Sequence, residues 1–171
     1  MIERLILVDE NDQLIGIGDR KEAWANGYYT RNVRIVLRDQ KGRFLSQKRS
    51  MKKDTFAGMW TVAASGHVDE GETWDEAARR ETMEEIGVSA DLKLVGDFVF
   101  KNDEGNKKIR QIIYVYEGVI DSAMQFALEK DEVEDIKWYG LDELTSLMQE
   151  TPDEFTPSFR ETIGRFYNVP T

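Results

Sequence analysis

The 171-residue chain contains no cysteine, a single histidine, three prolines and no long hydrophobic run. The missing cysteine excludes disulfides, thiolate-ligated zinc and thiol nucleophiles together. No stretch reaches the roughly 20 apolar residues of a membrane-spanning helix. The opening MIERLILVDE has neither the basic segment nor the long apolar core of a secretion signal. The expectation is a cytoplasmic protein with no membrane partner. Positive charge is also scarce: 23 Lys and Arg stand against 33 Asp and Glu, a formal net charge of −10. Nucleic acid is therefore not an expected partner, because binding it relies on positive surface. A phosphorylated substrate would be repelled unless local Arg and Lys side chains or a bound divalent cation reversed the field.

What is present suffices for a core. Hydrophobic residues make up 40% of the chain, with 8 Phe, 6 Tyr and 4 Trp. The length fits one domain that buries roughly 70% of the surface its extended form exposes. Residues 2–8 and 13–17 read as strands of a hairpin joined through the polar turn 9–12, and 21–26 as a helical turn ended by Gly27. Residues 1–27 thus form an N-terminal hairpin extension, and 28–171 the core of the domain. The hairpin either packs on its own domain or helps form a homodimer.

Strands are expected at 33–38 and 43–49, linked by a four-residue turn containing Gly42. Arg38, Arg49, Lys52 and Lys53 form the largest basic cluster of an acidic chain. They are either solvated strand ends or contacts to substrate phosphate. An apolar loop over 56–60 feeds a strand over 61–65, whose small residues before Gly66 imply a close backbone approach. Residues 92–101 and 109–120 read as a long antiparallel pair with a polar loop between them. An irregular crossing over 121–131 precedes a strand at 133–139. An amphipathic helix then runs through Leu141, Leu144, Leu147 and Met148, and Thr156–Pro157 opens a last helix with Phe159, Ile163, Phe166 and Tyr167 on one face. This order makes an α+β domain, layered as α/β/α.

The densest chemistry lies in residues 66–88, GHVDEGETWDEAARRETMEEIGV. Thr73 and Glu76 fit a capping box and Gly87 a left-handed stop, which predicts a helix over 74–86. Glu81 and Glu85 fall one turn apart on one face with Glu84 beside them, and the helix has no Lys to pair with them. Either this is a solvated acidic helix, or a hard divalent cation relieves the like-charge conflict through carboxylate oxygens. Arg79 or Arg80 is placed to pair with Glu72.

The spacing Gly66, five residues, Glu72, seven residues, Arg80–Glu81, two residues, Glu84–Glu85, one residue, Gly87, then Val88, resembles the signature of the Nudix hydrolase family. Every fixed Gly, Glu and Arg position matches; Thr82 stands where the pattern usually has an aliphatic residue. The segments FAGMWTVAASGHVDEGE, KDEVEDIKWYGLDEL and DEFTP further resemble the branch related to isopentenyl-diphosphate isomerase. The resemblance implies a Nudix α/β/α sandwich with a mixed β-sheet. It implies Mg²⁺ or Mn²⁺ held by Glu81, Glu84 and Glu85 with the Gly66 carbonyl, Arg80 orienting the carboxylates through Glu72, and Glu84 or Glu85 as base. A further acid from a later segment is expected, Glu132 first and Glu117 second. The implied reaction is metal-dependent hydrolysis of a diphosphate in a nucleoside diphosphate linked to another moiety, or in a related organic diphosphate. Arg38, Arg49, Lys52, Lys53 and His67 are the expected contacts to this small-molecule substrate, and Phe56, Trp60, Phe98 and Tyr114 are candidates for stacking on a base. Two other readings accompany this one. An isomerase of the related branch would need a cysteine just before the Gly-His pair and several histidines, which this chain lacks. A non-catalytic ligand-binding module would be expected to have lost signature carboxylates, which this chain keeps.

Overall fold

Strand β3 (Tyr29–Arg38) carries the architecture, because its sequence buries both faces in different ways. Val33, Ile35 and Leu37 are fully buried on one face, while the other alternates through Asn32, Arg34 and Val36. In the computed structural model, which describes residues 3–170, β3 lies among four neighbours. It pairs antiparallel with β1 (Leu5–Val8), β4 (Phe44–Arg49) and β6 (Ala64–His67), and parallel with β8 (Lys107–Val119). The β3–β8 register runs from Thr30↔Gln111 to Arg38↔Val119. Outward from this centre, β2 (Leu14–Gly18) joins β1, β7 (Lys93–Glu104) joins β8, and β5 (Trp60–Thr61) and β9 (Val133–Tyr139) join β4. The result is one mixed sheet.

Helices cover both faces. Helix α2 (Trp74–Ile86) buries Ala77, Ala78 and Ile86 against Val33, Ile35 and Leu37. Helices α3 (Leu141–Glu150) and α4 (Pro157–Tyr167) cover the opposite face with Leu144, Met148, Phe159 and Ile163 against Val36, Phe98, Ile113 and Val115. Thr156 caps α4 by accepting the Phe159 N–H, with Pro157 at the first helical position. Helix α1 (Arg20–Asn26) lies beside them, its Ala23 packed on Leu5 and Leu7. This is the expected α/β/α layering. Among the described residues no helix is long and apolar enough to cross a membrane.

Several local expectations need correction. The expected strand over 2–8 is observed only as Leu5–Val8, and Ile2 lies outside the described residues. The expected strand over 61–65 is split into β5 and β6, which pair with different partners, β4 and β3. The polar loop over 102–108 is mostly strand: β7 and β8 stay in register to Glu104↔Lys107, and only Gly105, in the left-handed region at φ 59°, and Asn106 turn the chain. Polar composition misled there because both strand ends stand clear of the core, where side chains do not reveal sheet pairing. The hairpin packs on its own domain through β1, whose Leu5, Leu7 and Val8 are buried, while β2 leaves Leu14, Ile15 and Ile17 exposed.

Candidate active site

The capping box predicted for α2 is formed. Thr73 N–H donates to Glu76 Oε2 at 2.8 Å and Glu76 N–H returns to Thr73 Oγ1 at 3.3 Å. Gly87 ends the helix at φ 70°, its N–H reaching Met83 O. Thr82 is buried and its hydroxyl donates to Ala78 O at 2.7 Å, so the polar residue at an aliphatic position leaves no unmet hydrogen bond.

Arg80 organises the polar face of this helix. Its Nε and Nη2 donate to the two oxygens of Glu72 at 2.7 and 2.9 Å, a bidentate pair, and Nη2 also donates to His67 O at 2.9 Å. Its Nη1 donates to Glu81 Oε1 at 2.8 Å and Glu84 Oε2 at 3.2 Å. Arg80, not Arg79, thus pins the Gly- and acid-rich turn to the helix.

Glu85 is buried and held by neutral donors, the Ser65 N–H at 3.1 Å and the Gln47 side-chain amide. Burial pushes its pKa up to about 7 against those hydrogen bonds, and the charge of Glu132 adds to the rise. Glu81 is pushed up to about 8, first by burial and then by the charge of Glu85, with Arg80 opposing. Two buried carboxylates with less counter-charge than they need, next to the Gly66 backbone, supply the hard oxygen donors that Mg²⁺ and Mn²⁺ take. The donor chemistry fits such an ion. Among the described residues, three or more of these side chains do not already close into a ligand cluster.

These groups border a cavity of about 950 Å³, lined by Gly66, Glu81, Glu84, Glu85, Glu129 and Glu132 among others. The crossing over 121–131 delivers Glu129 and Glu132 there by bonding to the last turn of α2, with Ala127 N–H on Ile86 O and Glu129 N–H on Glu85 O, both at 3.0 Å. The same cavity is also lined by cations, Arg20, Arg34, Arg49 and Lys53. Arg49 donates to Thr55 O at 3.0 Å and is held below its ordinary pKa by burial; Lys53 pairs with Glu132. His67 also lines the cavity, with Nδ1 3.7 Å from Glu3 Oε1. Burial is the main cause holding its pKa to about 3, and nearby Arg20, Arg34 and Lys53 act in the same direction, so the imidazole is neutral at pH 7.

Some predicted site residues lie elsewhere. Arg38 pairs with Glu117 at 2.5 Å and its guanidinium lies over the Phe44 and Tyr167 rings, at the far end of β3. Neither Arg38 nor Glu117 lines the cavity; their neighbours in sequence and register are hairpin and core, so charge there serves packing. Lys52 points outward and pairs with Asp131 at 2.5 Å. Phe98 is buried beneath α4, Trp60 packs on Tyr139, and Tyr114 stacks on Trp74 at 3.8 Å. Of the stacking candidates only Phe56 reaches the cavity.

Other residues at the site carried no signal that pattern reading used. Arg20 and Trp24 come from α1, Asn32 and Arg34 from β3, Gln111 from β8 and Ser158 from α4. The one available clue was Arg34 itself, a charge amid the apolar run VRIVL.

The family model described as "NUDIX domain" matches residues 28–159. An isopentenyl-diphosphate Delta-isomerase 2 of Photorhabdus laumondii is 35% identical over 165 residues, covering 96% of this chain and 92% of its own. A prenyl-diphosphate phosphatase of Methanosarcina mazei is 29% identical over 160 residues, covering 94% and 92%. The crystal structure of DR0079 from Deinococcus radiodurans superposes with a TM-score of 0.80 at 25% identity, covering 96% of this chain and 99% of that one. With Glu81, Glu84 and Glu85 together on α2 and the family model matching residues 28–159, the chain belongs to the Nudix hydrolase family.

Proposed function

We propose that this enzyme hydrolyses the diphosphate bond of a small organic diphosphate with the help of Mg²⁺ or Mn²⁺. The observation that supports it most is one cavity lined both by the α2 carboxylates and by Arg20, Arg34, Arg49 and Lys53. Glu81, Glu84, Glu85 and the Gly66 carbonyl would hold the cation, with Glu132 as the further ligand. When bound, a cation of this kind neutralises diphosphate oxygens and raises the acidity of water. Arg80 keeps Glu81 and Glu84 in place while Glu72 keeps Arg80 in place. Arg49, Lys53 and His67 contact the substrate, the first two by charge and the neutral imidazole by hydrogen bonding. A carboxylate takes the proton of the attacking water, with Glu84 and Glu85 the two candidates. Residues 1–27 act as an extension that completes the cavity of 28–171, since Arg20 and Trp24 line it.

Two features guide the choice of substrates. Trp24, Phe56 and Ile109 give the cavity an apolar wall, and the Methanosarcina relative is named for prenyl diphosphates. A panel should therefore include prenyl and other alkyl diphosphates beside nucleoside diphosphates and their conjugates. Hydrolysis with Mg²⁺ or Mn²⁺ is the expected result, giving phosphate from a terminal diphosphate and two phosphomonoesters from a conjugate, abolished by EDTA and sharply reduced in folded Glu85→Gln. Hydrolysis of every active compound at the wild-type rate by Glu85→Gln would overturn the assignment. The name of the Photorhabdus relative brings isomerisation as a second reading. The positions before Gly66–His67 are Ala64 and Ser65, the Ser65 N–H bonds Glu85, and the chain has no thiol. Incubation of an isoprenoid diphosphate in deuterated water separates the two, by release of phosphate or by deuterium entering carbon.

A further inference from the structure

Most arginines along this fold are paired with acids: Arg20 with Glu3, Arg31 with Asp12, Arg38 with Glu117, Arg43 with Asp39, and Arg80 with Glu72 and Glu81. Arg34 differs. It is 7% exposed, and its acceptors are all neutral: Asn32 Oδ1, Val33 O, Gln111 Oε1 at 3.0 Å and Ser158 Oγ at 3.5 Å. Its Nε has no partner among the described residues. Burying a guanidinium with no anion in contact is costly; Arg34 lines the cavity, and the charges of Glu85 and Glu81 reach it only through space. The N-terminus of α4, which brings Ser158, adds partial positive charge on the same side.

We propose that Arg34, set by Gln111 and Ser158, is a specificity-determining residue that takes a non-bridging phosphoryl oxygen of an organic diphosphate. The proposal rests on the diphosphate reading of the cavity. The substrate itself then supplies the missing counter-charge, reached from Nη2, whose contact with Ser158 Oγ is long at 3.5 Å. Burial holds Arg34 down to about 9, so the side chain still carries its charge at pH 7. An uncharged analogue in the same place would leave the guanidinium buried without an anion, so charged phosphoryl groups are selected over neutral ones.

Methylenediphosphonate, which cannot be hydrolysed, tests this by titration calorimetry on the full chain with Mg²⁺ present. Arg34→Gln is expected to weaken binding by about tenfold to a hundredfold, as loss of a hydrogen bond to a charged group does. Its melting temperature should stay level or rise, because an unpaired buried charge has been removed. Arg34→Lys should recover part of the affinity, a rescue that a purely structural role would not give. If the Gln variant does not fold, Arg34→Met, close in length, takes its place in the same comparison. Unchanged affinity in the folded Gln or Met variant, or a Lys variant no better than either, overturns the proposal. No turnover is involved, so a loss of binding in these variants stands even if Glu85→Gln shows that the hydrolytic assignment is wrong.

Discussion

The Glu81 carboxylate fills the place a side chain at residue 66 would need: a Cβ on Gly66 would overlap both Glu81 oxygens. The glycine is not there for a left-handed turn, since it is absent from the positive-φ glycines. It is there because strand β6 and helix α2 approach so closely that only a hydrogen fits between backbone and carboxylate.

Gly66→Ala should therefore displace Glu81 without unfolding the protein, because the colliding atoms are the far end of a flexible side chain. Displacing a group proposed to hold the cation should cost about 100-fold in rate. Diphosphate hydrolysis measured beside thermal melting checks it: activity falls steeply while the melting temperature moves little.

Glu72→Gln removes the charged half of the bidentate pair with Arg80, whose side chain is 26% exposed. Solvent screening limits the stability loss to about 1 kcal/mol. Activity should fall more than stability, by about tenfold or more, because Arg80 also holds Glu81 and Glu84. Arg80→Lys should not restore it, since one ammonium cannot serve Glu72, Glu81 and the His67 carbonyl together. Steady-state kinetics and urea unfolding of both variants give the comparison.

The metal-free protein should lose stability as pH rises from about 5 to about 8. Glu85 and Glu81 have their pKa values raised in the fold from 4.5 to about 7 and about 8. Between those values the folded chain keeps protons that the unfolded chain has released, so rising pH favours unfolding, and above them the effect levels off. Melting in EDTA across that range should show the decline, and Glu85→Gln should flatten part of it. Added Mg²⁺ should raise the melting temperature most at the alkaline end, where it competes with fewer protons. A metal-free melting temperature that rises through this window contradicts the site electrostatics.

Trp24 lines the apolar side of the cavity, with Lys107 Nζ 5.2 Å from its ring. Trp24→Ala should raise the KM for organic diphosphates by about tenfold, in line with the loss of a few kcal/mol of apolar contact at most, and leave methylenediphosphonate affinity near wild type. Equal weakening toward the organic and the inorganic ligand would show that α1 serves the cavity's shape rather than its organic subsite.

The local features follow from short stretches of sequence. The capping box at Thr73 and Glu76, the stop at Gly87 and the spacing of Glu81, Glu84 and Glu85 depend on neighbours within a turn or two, and all were legible. So were the layered α+β class and the family, because hydrophobic periodicity and the signature are short-range patterns. Which charges meet depends instead on how distant segments pack. Arg38 and Arg34 are both arginines of β3, four residues apart. One lies at the hairpin end against Glu117 and the other lines the cavity among Asn32, Gln111 and Ser158. That difference arises from the parallel pairing of β3 with β8 and the landing of α4 across the sheet, contacts between residues more than 70 positions apart. Likewise Arg20 and Trp24, in a segment read as an extension, become walls of the site because β1 adds to the central sheet and sets α1 over it. Spacing along the chain placed the carboxylates; folding across it chose the cations that line the same cavity.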